Sequence, residues 1–318
     1  MIEIFKTQTG SNELLRNELI SLDSIEKGCW INLMSPTDEE IELVVRSIDI
    51  NQDFIRDALD DEEKPRIDLE DEQTLIITDI PYVYEDNKTI KFETVPMGFL
   101  SVRDDYIITI CSKQTTVLER FRNGKIKEFY TYKKTRFILQ ILYHVSTEYL
   151  KYLKHIDKKS EFIEKALHKS MRNKELYKLL DLSKSLVYFN TSLKSNETVL
   201  ERLLTGKFIK LYEEDADLLE DTIIENKQAI EMATIYSSIL SGTMDAFASI
   251  ISNNQNEVMK FLAAMTIVLS IPNMIYSFFG QNLALPLQQN PLMWIYVLAG
   301  SVVICLIISF VLWRRDMF

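Results

Sequence analysis

The sequence predicts an α/β cytosolic domain followed by a long stalk helix and two transmembrane helices. Three observations carry this. The first 125 residues or so alternate short runs of β-branched and aromatic residues with turn formers. From about Thr131 glycine and proline nearly vanish and apolar residues recur at helical spacing. Finally, the stretch from Phe261 to Trp313 contains no Asp, Glu, Lys or Arg, a length that a soluble surface does not tolerate uncharged.

The α/β region is expected over residues 1–130. "CWINL" (29–33), "TLIITDIPYVY" (74–84), "ETVPMGFLSV" (93–102) and "YIITICS" (106–112) read as strands bounded by turn residues. Ser35-Pro36-Thr37-Asp38-Glu39-Glu40 predicts a helix start, with Ser35 as cap, Pro36 at the first position and acids on the positive helix end. A helical hairpin is expected over 131–206, one helix reaching about Lys169 and the next running from Arg172 to Leu204, where Gly206 offers a break.

The stalk helix is expected over 207–257. Steps of four and three from Tyr212 pass through Leu219, Ile223, Asn226, Ala233, Leu240 and Phe247 to Val258, a heptad seam with polar interruptions. No proline intervenes before Pro272, so the helix can run from Lys207 to Phe279, about 110 Å at 1.5 Å per residue. A seam leading into a membrane suggests helices from several subunits packed about an axis. Residues 258–279 and 292–313 form the two spans, each 22 residues long, enough to cross a hydrocarbon core of roughly 30 Å. Both lie far from the N-terminus, so neither reads as a cleavable signal. An external loop, 280–291, joins them, and a basic tail, 314–318, follows. Lys260 and the pair Arg314–Arg315 flank the spans while the loop is uncharged, which predicts both termini on the cytosolic side of the cell membrane.

The formal net charge of −11 argues against nucleic acid or anionic lipid as partner and is compatible with cations. Cys29, Cys111 and Cys305 are isolated, and His144, His155 and His168 are spaced too widely for a shared metal. There is no phosphate loop, nucleophile arrangement or metal-ligand cluster, so an enzyme is the least favoured class.

A polar stripe runs through the first span. From Asn256 the same alternation gives Met259, Ala263, Thr266, Ser270, Asn273, Ser277 and Gly280. Polar groups in hydrocarbon turn toward a partner helix or a watery cavity. Interhelical glue is the plainer account; a pore is the sharper one. The second span has only Gly300 and Ser301 as a polar pair and reads as lipid-facing. A pore of amides and hydroxyls without fixed charge suits Mg2+, which keeps its waters. The tripeptide Gly280-Gln281-Asn282 at the outer mouth would then form a neutral collar, with Gly280 allowing the backbone to approach closely.

"NEVMKFLAAMTIVLSIPNMIYSFFGQN" (256–282) resembles, without a gap, the first membrane helix of the CorA family of divalent-cation channels, whose helix ends in Gly-Met-Asn. Gly280 and Asn282 match, and Gln281 stands in place of Met. "WINLMSPTDEE" (30–40), "IRDALDDEEKPRID" (55–68), "FILQILYHVSTEYLKYLKHID" (137–157) and "SGTMD" (241–245) resemble further family segments in the same order. The resemblance implies a homopentameric funnel in the membrane that carries Mg2+, with Co2+ or Ni2+ as further cargo and no cofactor. It implies pore-facing Asn256, Met259, Leu262, Thr266, Ser270, Asn273, Gly280 and Asn282, with Met259 and Leu262 as the apolar gate. It also implies that cytosolic Mg2+ regulates the channel by binding Asp57 and Asp221, although Arg56 replaces the family's acid before Asp57. Two alternatives remain open: proton-coupled Zn2+ transport of the ZntB type, and a membrane-anchored sensor that does not conduct.

Overall fold

A computed structural model describes residues 1–7, 14–17, 25–86, 89–103, 105–170, 173–281 and 290–317. The chain divides into two compact units, Met1–Gly242 and Thr243–Phe318.

The first unit is built on a seven-stranded mixed sheet, in the order β2-β1-β3-β7-β6-β5-β4. Its strands are β1 (Ile2–Thr7), β2 (Leu14–Asn17), β3 (Trp30–Met34), β4 (Arg66–Glu70), β5 (Gln73–Asp86), β6 (Thr89–Val102) and β7 (Tyr106–Cys111). Among the described residues only β3 and β7 pair in parallel, with Trp30 opposite Ile107. The four expected strands are present as β3, β5, β6 and β7, and β1, β2 and β4 complete the sheet. β4 has little to show in sequence because "RIDLE" carries charge at alternate positions and buries only Ile67 fully, as an edge strand allows.

Helices α1 (Asp38–Ile48) and α2 (Gln52–Leu59) cover one face of the sheet. There Ile31 and Leu33 pack with Val44, Ile55, Ala58, Leu75 and Leu100. Gly98 of β6 is needed at this contact, because a Cβ added to it would lie 2.5 Å from the Ala58 Cβ. On the other face Trp30 stacks on Phe5 at 4.6 Å and meets Phe137 edge-on at 5.0 Å. Short helix α3 (Thr116–Arg122) adds Phe121 to this aromatic cluster. Every residue of β3 is therefore buried, and its sequence reads as an unbroken apolar run with one polar member, Asn32.

The α1 cap differs from expectation. Thr37, not Ser35, is the N-cap: its hydroxyl accepts from the Glu40 amide at 3.3 Å, and the Glu40 carboxylate accepts from the Thr37 amide at 2.9 Å. Two reciprocal bonds satisfy more free backbone donors than Ser35 could. Ser35 instead takes a positive φ of 42° and donates its hydroxyl to the Ser112 carbonyl.

Helices α4 (Lys134–Ser170) and α5 (Asn173–Leu203) follow one another and pack together, and Gly206 lies just beyond α5 with a φ of 65° that favours glycine. α5 reaches the sheet through a polar junction. Asn196 spans both edges of Asp79, accepting from its amide at 2.8 Å and donating to its carbonyl at 2.7 Å. The buried Tyr149 hydroxyl donates to the same carbonyl at 3.1 Å. Burial pushes the Asp79 carboxyl above its ordinary 3.8, against a hydrogen bond from Ser192. A raised folded-state value means that the ionised carboxylate costs stability at neutral pH, a cost that vanishes below 3.8, where both states are protonated. Asp79→Asn should therefore raise the unfolding midpoint at pH 7, and the gain should disappear on acidification below that value. Thermal melts at the two pH values check this.

The long helix α6 (Glu213–Phe279) has 67 residues, about 100 Å. It begins six residues later than the sequence suggests. The segment before it is tied down sideways: the Phe208 carbonyl accepts from Thr74, the Lys210 carbonyl accepts from Thr135 at 3.0 Å, and Ile209 is buried. The heptad seam is corrected more substantially. Within the first unit Leu219, Ala233 and Leu240 are buried in a single chain, and the Asn226 amide donates to the Leu193 carbonyl of α5 at 3.0 Å. That part of the seam packs on its own chain rather than on another subunit. The apolar residues left exposed are Ile224, Ile235 and Ile239.

The second unit holds the remainder of α6 and α7 (Met293–Trp313). Both α6 and α7 contain stretches long and apolar enough to cross a membrane, and almost none of those side chains is covered within the chain. Exposed residues include Leu269, Met274, Trp294, Leu306 and Trp313. A surface this apolar requires lipid or further protein.

Candidate functional site

The polar stripe acquires a direction from the packing of α7. Ala264 is fully buried, and Val268, Ile271, Pro272 and Ile275 are partly covered, at steps of four, three, one and three on one side of α6. On α7 the matching side carries Ser301, Cys305 and Leu312. The Tyr276 hydroxyl lies 2.9 Å from the Ser301 hydroxyl. Thus Tyr276, the polar residue that breaks the stripe, is spent on α7, and Ser301 turns inward while Gly300 stays exposed.

The stripe itself lies on the uncovered side. Asn256, Met259, Leu262, Thr266, Ser270, Asn273, Ser277, Gly280 and Gln281 are all exposed in the single chain. Asn282 lies outside the described residues. Both Leu262 and Ala263 are exposed, whereas Ala264 is buried, so the side facing away from α7 is wide enough to include both.

The hydroxyls on this face are oriented. Thr266 donates to the Leu262 carbonyl at 2.8 Å and Ser270 donates to the Thr266 carbonyl at 2.7 Å. Each has one proton, and the helix takes it. What they present outward is oxygen lone pairs, which accept from water or approach a cation. Gly280 is still in helical hydrogen bonding, its amide donating to the Tyr276 carbonyl at 2.9 Å. A Cβ there would sit 3.1 Å from that same oxygen, so glycine permits a tight last turn rather than a left-handed exit.

The proposed regulatory residues are both in the first unit but are not joined by any hydrogen bond or ion pair among the described residues. Asp57, on α2, is bound by the Arg66 guanidinium at 2.6 Å. Arg66 also binds Asp68 at 2.5 Å and Glu63, so one cation serves three carboxylates. Although burial works against it, Glu63 and Asp68 push the Arg66 pKa above its ordinary range, and the Arg66 bond pulls Glu63 down. Asp221 is exposed on α6. Among the described residues no group of three His, Cys, Asp or Glu side chains could hold a metal ion within one chain.

The chain as a whole has relatives among known proteins. Residues 26–315 match the model of the CorA-like Mg2+ transporter protein family. The chain belongs to that family. The cobalt/magnesium transport protein CorA of Methanocaldococcus jannaschii is 29% identical over 296 residues, 90% of either chain. The complete structure of the CorA magnesium transporter from that organism superposes with a TM-score of 0.80 at 25% identity, covering 98% of this chain and 96% of the other. The ZntB cytoplasmic domain from Vibrio parahaemolyticus shares the fold at 11% identity and a TM-score of 0.59, covering 80% of this chain and 98% of that one.

Proposed function

We propose that this chain is one subunit of a homo-oligomeric divalent-cation channel of the cell membrane, conducting hydrated Mg2+ and Co2+ along an axis lined by α6. The observation that carries this reading is the uncovered face of α6, where uncharged oxygen acceptors lie opposite the side taken by α7. Kinship to a cobalt/magnesium transport protein supports the cargo. Neutral oxygens favour an ion that keeps its waters, because carbonyl and hydroxyl oxygens accept from the hydration shell without stripping it. Counting back from Asn256 in steps of four and three reaches Ile235 and Ile224, so two of the three exposed isoleucines share the phase of the stripe. Subunits meeting along that phase, as in a pentamer, would cover both. Met259 and Leu262 would form the apolar gate, Gly280, Gln281 and Asn282 the outer collar, and both termini would face the cytosol.

Ion flux into liposomes holding the purified protein and a Mg2+-sensitive dye tests this. Mg2+ entry that ignores a proton gradient is the expected result. Zn2+ entry that follows the proton gradient, with little Mg2+, would overturn it in favour of ZntB-type transport, and no flux of any ion would favour a sensor.

Regulation follows the same reading: Mg2+ held between Asp57 of one subunit and Asp221 of the next favours the closed state, and its loss relaxes it. The ion must compete with Arg66 for Asp57. Asp57→Ala with Asp221→Ala should leave flux intact while weakening its inhibition by internal Mg2+ by about tenfold, the equivalent of a coupling of about 1.4 kcal/mol. An unchanged inhibition curve would remove both residues from the sensor.

A further inference from the structure

Pro272 interrupts the hydrogen-bond ladder of α6 inside its apolar stretch. Proline has no N–H, so the carbonyl four residues earlier, Val268, loses its helical donor. An orphaned carbonyl in hydrocarbon costs several kcal/mol unless something else serves it. Here the Cys305 thiol of α7 donates to that oxygen at 3.7 Å. One turn back along α7, Ser301 meets Tyr276, four residues beyond the proline. Ser301 gives its own proton to the Leu298 carbonyl at 2.8 Å, so Tyr276 is the donor in that pair. The two contacts straddle Pro272, one a turn before it and one a turn after.

We propose that Cys305 and Ser301 form a clamp by which α7 holds α6 on either side of Pro272, and that Cys305 is a positioning residue for conduction. The clamp grips the side of α6 opposite Ser270 and Asn273, on the turns that flank them. Holding α6 at its missing hydrogen bond keeps those two side chains in register on the uncovered face, although neither clamp residue lies on that face. The chemistry is specific: Cys305 must donate, and it must donate because residue 272 cannot. Thiol and proline form one unit, and each loses its role without the other.

The effect on flux rests on the channel reading, but the hydrogen bond does not, and the experiment separates the two. Cys305→Val keeps the volume and removes the donor, Cys305→Ser keeps a donor, and Pro272→Ala restores the missing N–H. Flux per oligomer is read in liposomes. The S–H infrared stretch of Cys305 is read as the difference spectrum between the parent protein and C305V. The expected result is a flux loss of about fivefold for C305V, recovery to within about twofold for C305S, and no further loss when C305V is added to Pro272→Ala. The S–H band should lie at a hydrogen-bonded frequency and move toward the free-thiol position in Pro272→Ala. An equal C305V loss in both backgrounds would mean packing rather than clamping, and would overturn the proposal. A free-thiol band in the protein carrying Pro272 would overturn it even if no ion were conducted. Absence of flux in every variant with a hydrogen-bonded band would instead count against the channel reading alone.

Discussion

Ser270→Lys should abolish Mg2+ flux while leaving the protein folded and inserted. Ser270 is exposed on the side of α6 that α7 leaves uncovered, and its hydroxyl oxygen faces outward because its proton is held by the Thr266 carbonyl. A lysine there puts one ammonium per subunit against a divalent ion. At roughly 6 Å and an effective dielectric constant of about 20, a single such pair repels by about 5 kcal/mol, equivalent to more than a 1,000-fold loss. Several subunits around an axis would add to it. Ser270→Asn keeps an uncharged acceptor and should conduct within about tenfold of the parent. The check is dye-reported flux in liposomes alongside size-exclusion chromatography. Normal conduction by Ser270→Lys would place the ion's route elsewhere, and the stripe would revert to interhelical packing.

Trp30→Ala is expected to have the largest effect on stability. Trp30 is fully buried, stacked on Phe5 and edge-on to Phe129 and Phe137. Removing such a ring costs about 3–5 kcal/mol through lost burial and the cavity left behind. The indole N–H also begins a buried chain of polar contacts. It donates to Thr109 at 2.8 Å, Thr109 donates to Asn32 at 2.9 Å, and Asn32 donates to Glu3 at 3.0 Å. Arg122 closes the chain on the other Glu3 oxygen at 2.6 Å. Losing the first member leaves the Thr109 oxygen without its donor, a further cost of about 1–3 kcal/mol. Together these approach the whole stability of an ordinary domain, so the first unit should unfold or fail to accumulate. Trp30→Phe retains most of the ring and should lose chiefly the indole hydrogen bond, about 1 kcal/mol. Denaturant titration followed by circular dichroism ranks the two. A loss below about 1 kcal/mol for Trp30→Ala would show that this aromatic cluster is not the keystone of the sheet's α4 face.

Sequence reasoning succeeds or fails here according to how local the deciding physics is. The strands around "CWINL" and "YIITICS" are legible because β-branched runs bounded by turns report on themselves. β4 is not, because an edge strand with one buried side chain has little pattern to show. The α1 cap moves from Ser35 to Thr37 because a capping box is settled by a pair of side chains and not by a single residue type. Gly280 keeps its place at the end of α6, but its use is a close turn against the Tyr276 carbonyl. Cys305 reads as isolated, since its partner is a backbone oxygen and backbone oxygens have no signature in sequence. The one available signal is Pro272, which announces an orphaned carbonyl at Val268 without saying what will serve it.

By itself the sequence determined that two helices of this chain are long and apolar enough to cross a membrane, and that the polar residues of the first share one phase. Both follow from composition and from the 3.6-residue period, which any helix of this sequence obeys. Only the tertiary structure decided which face each helix turns to what. The heptad seam marks a side of α6, and the fold gave Leu219, Ala233 and Leu240 to the chain's own interior, with Asn226 bonded to α5. The stripe marks another side, and α7 settled its exposure by occupying the opposite one through Ala264, Val268 and Tyr276. A period specifies that a face exists; what covers it is a long-range contact, and no local pattern encodes its partner.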